Sequence, residues 1–178
     1  MGILVNQELI QLIRDGVIEA PESAVGPSSV DVTLGNTFLW ELDNPCRRAI
    51  GGIVDPMNSV FPEMEEWGED AFDLSPGEFC LAHIREKINL PADISAEFRL
   101  TSTEARCGIQ HALAVWADCG WSGCLTLELS NALKYHSIRL SEGMRIGQLI
   151  FHKHAMSDAP YKGRYQGDET VSAGKEKV

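Results

Sequence analysis

Short stretches of alternating apolar and polar residues follow one another along the chain, each stopped within a few positions by a turn residue. Ser29 to Gly35 alternates in this way. Leu74-Ser75-Pro76-Gly77 reads as a turn, and it opens a strand from Glu78 through His83 to the region of Ile84. Ala96 to Leu100, His111 to Ala117, Cys124 to Ser130 and Ile146 to His152 read as further strands. Such a series predicts an all-β sandwich or barrel with one or two short helices. The first helix has Asn6 as its N-cap, an apolar face of Leu9, Ile10, Leu12, Ile13 and Val17, and a stop at Gly16. Residues 41–75, rich in acids, Gly and Pro, read as an acidic surface loop or irregular excursion. Its Glu63 to Asp73 part would suit a partner surface, although such a run is commonly just solvated. The stretch from Ser157 to Val178 is polar and, taken alone, a mobile tail.

A chain of 178 residues is one domain long and can bury a sizeable core. Its formal net charge of -11 repels a phosphate polymer, which disfavours nucleic acid as a partner. A small anion can still be held by a few well-placed donors. No apolar run approaches the length of a membrane span, and the start lacks a basic secretory region. Five cysteines, an odd number in a chain too large to need staples, read as reduced thiols in a cytoplasm.

Two segments carry chemistry. In Thr101-Ser102-Thr103-Glu104-Ala105-Arg106-Cys107-Gly108, Thr101 and Glu104 have the spacing of a capping box, and Gly108 suits a stop. Ser102 and Arg106 then share a helix face. A hydroxyl and a guanidinium above free N–H groups suit a phosphate or a developing oxyanion. The same residues would also make an ordinary capped surface turn. In Cys124 to Asn131, Leu125, Leu127 and Leu129 point one way and Thr126 and Glu128 the other. If enclosed, Glu128 has a raised pKa and can act as a general acid or base. If not, it is a solvent-facing residue on a half-buried sheet. The His-x-Glu and Pro-Cys-x-x-Cys pattern of zinc deaminases is missing, and His152 with His154 reads as a surface pair. No protein-bound zinc is expected.

Several blocks, in order along the chain, resemble the dCTP deaminase family. They are Gly26-Pro27-Ser28-Ser29-Val30-Asp31-Val32-Thr33-Leu34-Gly35, Leu74 to Phe79 with Leu90-Pro91, and the Ser102…Ala105-Arg106…Gly108 turn. Asp118-x-Gly-Trp121-x-Gly123, Leu127-Glu128-Leu129-x-Asn131, Gly143 to Leu149, and Tyr161 with Gly163 to Gly167 complete the set. The resemblance implies a mainly β, dUTPase-like distorted jelly roll or barrel, homotrimeric, with its sites between subunits. It divides the chain into a β domain over 1–156 and a C-terminal arm over 157–178. It implies deamination of a deoxycytidine nucleotide, dCTP to dUTP and ammonia, with magnesium on the phosphates and no zinc. Glu128 would activate water for attack at C4 of the base. Ser102 and the Ala114 carbonyl would position that water, and Arg106 would orient Glu128. Asp118 would lie by the deoxyribose with Trp121 near it, and Tyr161, Arg164 and the following residues would close over the nucleotide. Thr103, Gln148 and Asp168 stand with them on the substrate side.

The chain departs from the family pattern at Thr101, Glu104, Asp168 and Glu169-Thr170. Each departure removes positive charge or adds negative charge near the phosphates. A dCMP or C5-modified dCTP deaminase is therefore an alternative. Another is a bifunctional enzyme forming dUMP, since Ala114-Val115-Trp116-Ala117-Asp118 is similar to that subgroup's run. A non-catalytic nucleotide-sensing trimer is a third.

Overall fold

The computed structural model describes residues 2–42, 52–68, 71–112 and 114–176. Its helices are few. The first, α1, spans Asn6–Arg14, with Leu9 and Leu12 buried. Its N-cap is Val5 rather than the expected Asn6: the Glu8 carboxylate reaches back to accept the Val5 N–H at 3.1 Å. That bond fixes the start one residue earlier than side-chain preference suggests. The second, α2, is the single turn Ser102–Arg106.

The strands run in chain order as β1 (Gly2–Ile3), β2 (Val30–Thr33), β3 (Phe38–Glu41), β4 (Met64–Trp67), β5 (Ala71–Leu74), β6 (Phe79–His83) and β7 (Ile88–Asn89). They continue as β8 (Ile94–Leu100), β9 (Ile109–His111), β10 (Trp116–Ala117), β11 (Ser122–Gly123), β12 (Thr126–Asn131), β13 (Ile138–Ser141) and β14 (Arg145–Lys153). Among the described residues they form two five-stranded sheets and two short ribbons. One sheet runs β1-β14-β8-β10, with β2 also on β14. The other runs β4-β3-β6-β12-β9. The ribbons are β11-β7 and β13-β5. All the pairings between these strands are antiparallel.

The two sheets share one core. Phe98 from β8, Leu149 and Phe151 from β14, Phe38 from β3 and Leu127 and Leu129 from β12 are all fully enclosed in it. Alternation decides which side chains reach it. Along β12, Leu127, Leu129 and Asn131 are buried while Thr126, Glu128 and Ser130 lie half-buried on the opposite face. Asn131 is buried without penalty because its amide donates to the Leu74 and His136 carbonyls, both at 2.9 Å, and accepts the Leu133 N–H.

Three further expectations change. The 41–75 excursion contains regular structure: β4 pairs with β3 and β5 with β13. Its acids sit on the outward positions of short edge strands, so they hid the period from view. Residues 43–51 with Cys46, and 69–70, lie outside the described set. The segment from His111 to Ala117 is not one strand: His111 ends β9 in one sheet, and Trp116–Ala117 form β10 in the other. The chain crosses between sheets here, which a continuous apolar run cannot reveal. Finally, the stretch after 157 is laid along the body and hydrogen-bonded to it.

The tightest approach in the core is made by Gly35. A Cβ there would stand 2.0 to 2.7 Å from three atoms of the buried His83 ring. The Gly35 N–H donates to the His83 carbonyl at 2.9 Å, so the backbone cannot back away freely. Gly35→Ala is expected to destabilise the fold by about 1–3 kcal/mol through overpacking. Thermal denaturation would show this as a lowered Tm, and an unchanged Tm would mean that the ring moves aside.

Candidate functional site

Because Leu127 and Leu129 commit one face of β12 to the core, Glu128 must face outward. It does not face solvent freely. A cavity of about 350 Å³ covers it, in the range of small-molecule sites. Thr126 and Glu128 of β12 form one wall, with Leu81 across the strand pair. Residues 114–118, Trp121, Cys124 and Leu125 form a second wall. Tyr161, Tyr165, Asp168 and Ser172–Gly174 close it from the C-terminal segment.

That segment is seated largely by main-chain bonds. Tyr161 N–H donates to the Cys119 carbonyl at 2.8 Å, Gly167 N–H to Ser122 at 2.8 Å, and Cys124 N–H to Asp168 at 2.7 Å. Ser172 N–H reaches the Thr126 hydroxyl at 3.2 Å. Gly123 permits the closest approach: its φ is +131°, and a Cβ would stand 2.4 Å from the Asp168 carbonyl oxygen. Lys87 pairs with Glu169 at 3.0 Å, outside the cavity wall. Within the segment, the Asp168 carboxylate accepts the Ser172 hydroxyl and the Lys175 ammonium, and Lys175 lies over the Tyr165 ring.

Glu128 is chemically the most distinctive group here. Its Oε2 is buried and has no hydrogen-bond partner among the described residues. Burial pushes its carboxyl pKa up, against a smaller opposing backbone hydrogen bond. A buried polar atom without a partner is a rarity in native folds, and here it faces a cavity. Asp118 is a second carboxylate on the wall, its Oδ1 accepting the Trp116 indole N–H at 3.0 Å. The Ala114 carbonyl accepts the Trp116 backbone N–H at 2.9 Å, which leaves it one lone pair.

The structure therefore brings Glu128, Ala114, Asp118, Trp121, Tyr161 and Asp168 to one cavity. Asp168 is already committed to Ser172 and Lys175. Ser102, Thr103 and Arg106 are exposed on α2 and do not line it. Thr101 is the N-cap of α2, but the expected box does not close: Thr101 makes no side-chain cap bond, and its Oγ1 and the Glu104 Oε2 are buried without described partners. Gln148 is held in its sheet by the Ser29 hydroxyl at 2.7 Å, and Arg164 donates to the Lys175 carbonyl. Sequence reasoning put Thr126 on the Glu128 face and Tyr165 and Ser172 in the closing segment without naming them as wall residues, and gave Trp116 no role of its own. Strand period could have found Trp116, which shares a face with Asp118.

The model of the dCTP deaminase-like family matches residues 3–154. A Methanosphaerula palustris protein named "dCTP deaminase, dUMP-forming" is 32% identical over 183 residues, covering 97% of this chain and 95% of its own. A Streptomyces griseus protein of the same name is 37% identical over 162 residues, covering 86% and 82%. The crystal structure of 2'-deoxycytidine 5'-triphosphate deaminase from Agrobacterium tumefaciens superposes with a TM-score of 0.63 at 22% identity. That likeness concerns the fold, and it covers 85% of this chain and 48% of the other, so this chain spans about half its length.

The raised carboxyl makes a stability prediction. The folded chain holds the Glu128 proton more tightly than the unfolded chain, so stability is lost as pH rises through the folded pKa. Glu128→Gln, which mimics the protonated form, is expected to melt above the wild type near pH 7. The gap should close as pH falls toward the ordinary carboxyl value of 4.5. Parallel melts across this range would check it, and a variant less stable at neutral pH would contradict an enclosed, unpaired carboxylate.

Proposed function

The chain belongs to the dCTP deaminase-like family, and we propose that it hydrolyses the amino group from dCTP and carries the nucleotide on to dUMP. The observation that carries the reading is the enclosed carboxylate of Glu128, with its Oε2 unpartnered, beside Ala114 and Asp118. Release of the product as dUMP rather than dUTP follows the names of the relatives.

Glu128 takes a proton from a water held against C4 of cytosine. The hydroxide adds to C4, the proton passes to the departing amino group, and ammonia leaves a uracil carbonyl behind. A carboxyl held above its ordinary value by burial suits both halves of this transfer. The free lone pair of the Ala114 carbonyl is a ready acceptor for the water. Trp121 gives the sugar an apolar floor. In the second half a water attacks the α-phosphorus, pyrophosphate departs, and Asp118 accepts the proton. Magnesium would travel with the substrate on its phosphates, neutralising charge there. Asp118 is the wall carboxylate best suited to face such a hydrated cation.

Ser102 and Arg106 enter from a neighbouring copy in a homotrimer. Their exposure on α2, away from their own chain's cavity, supports this arrangement. Each site then combines one chain's Glu128 with another's Ser102 and Arg106.

Incubation of the protein with dCTP and magnesium should release ammonia and dUMP in equal amounts. Glu128→Gln should lose ammonia release by about a hundredfold or more while still binding dCTP. Wild-type protein that releases no ammonia from dCTP, dCMP or 5-methyl-dCTP would overturn the reading. Mixing inactive Glu128→Gln and Arg106→Ala subunits should restore part of the activity, because some sites in mixed trimers are complete. No recovery after subunit exchange would remove Arg106 from the neighbour's site.

A further inference from the structure

We infer that Trp116 is a positioning residue that holds Asp118 for the phosphate-cleaving half of the reaction. This inference rests on the two-step reading above. Along 115–118, Val115 and Ala117 are buried, so Trp116 and Asp118 emerge together on the other face. The indole has a single donor, and it goes to Asp118 Oδ1 at 3.0 Å. No described group bonds Oδ2. One carboxylate oxygen is thus anchored and the other is left available.

The anchor is itself braced. Trp116 lies on the edge strand β10, paired with Glu97 of β8. Its ring packs against the His152 imidazole of β14, with centroids 5.5 Å apart at 41°. His152 in turn lies 3.5 Å from the Glu97 carboxylate, which is also held by Arg99 at 2.9 Å. Three strands therefore fix the plane of the indole. An exposed aspartate just past an edge strand would otherwise sample several rotamers. A base that must meet a water at one phosphorus loses rate when it is misaimed by about 1 Å. Glu128 has no bond to this indole, so deamination does not depend on it in the same way.

The test measures product partition. With dCTP as substrate, Trp116→Phe keeps a ring against His152 and removes only the donor. The ratio of dUMP to ammonia should fall by about tenfold, with dUTP accumulating. Cleavage of supplied dUTP should drop by a similar factor, in kcat more than in KM. In an Asp118→Asn background the same substitution should have little further effect, since it acts through Asp118. An unchanged dUMP-to-ammonia ratio, or an equal loss of both activities, would overturn the inference. So would a full additional loss in the Asp118→Asn background. Wild-type protein that cleaves dUTP but releases no ammonia would defeat the deaminase reading and leave this inference standing on the dUTP assay. Wild-type protein that does neither would overturn both.

Discussion

A carboxylate on the outward face of β12 can be enclosed only if something other than the sheets covers it. Leu127 and Leu129 point into the shared core, and that fixes Glu128 on the other side. The cover comes from the C-terminal segment. Backbone bonds at Cys119, Ser122 and Cys124 and the close approach at Gly123 bring it within reach. Leaving the Glu128 Oε2 without a partner is a local expense, as is common where a site keeps a group ready for chemistry. The pairing of β12 with β6 and β9 on both sides makes this carboxylate's position rigid. Loss of the C-terminal segment would expose Glu128 to water and remove the cause of its raised pKa.

Much of this was legible in the sequence because period and punctuation agreed. The alternation around Glu128, the strands β8 and β14 and the turn at α2 all follow from local pattern. The resemblance named Glu128, Asp118, Trp121 and Tyr161, and the structure gathers them at one cavity. What could not be read is non-local. The segment 111–117 reads as one strand because residues 112–117 are a continuous apolar run, yet its ends serve different sheets, His111 in β9 and Trp116–Ala117 in β10. The acidic stretch concealed β4 because an edge strand buries too little to show a clean period. The arm's course is set by carbonyls of Cys119 and Ser122, and backbone acceptors leave no signature in side-chain chemistry. The capping box at Thr101 was spelled correctly and did not close, whereas an unforeseen one-sided version formed at Val5.

The charge of the wall makes a last physical argument. Asp118, Glu128 and Asp168 line the cavity, and no Lys, Arg or His among the described residues lines it with them. Lys175 offsets Asp168 from behind, and the Arg164 guanidinium is turned to the Lys175 carbonyl. Two like charges 4 Å apart repel by roughly 4 kcal/mol at an effective dielectric near 20. A triphosphate could not approach such a wall unaided. The base and sugar ends suit it, with an apolar floor at Trp121 and a carboxylate at Glu128. The phosphate end must therefore be met by positive charge from outside this wall or by release of Lys175 and Arg164 from their present partners. The departures at Asp168 and Glu169 fit the last route: both acids are paired with lysines, Lys175 and Lys87, so the arm holds its added negative charge internally. On that view the arm's ion pairs and the substrate's phosphates compete for the same lysines, and charge complementarity links nucleotide binding to how firmly the cavity is closed.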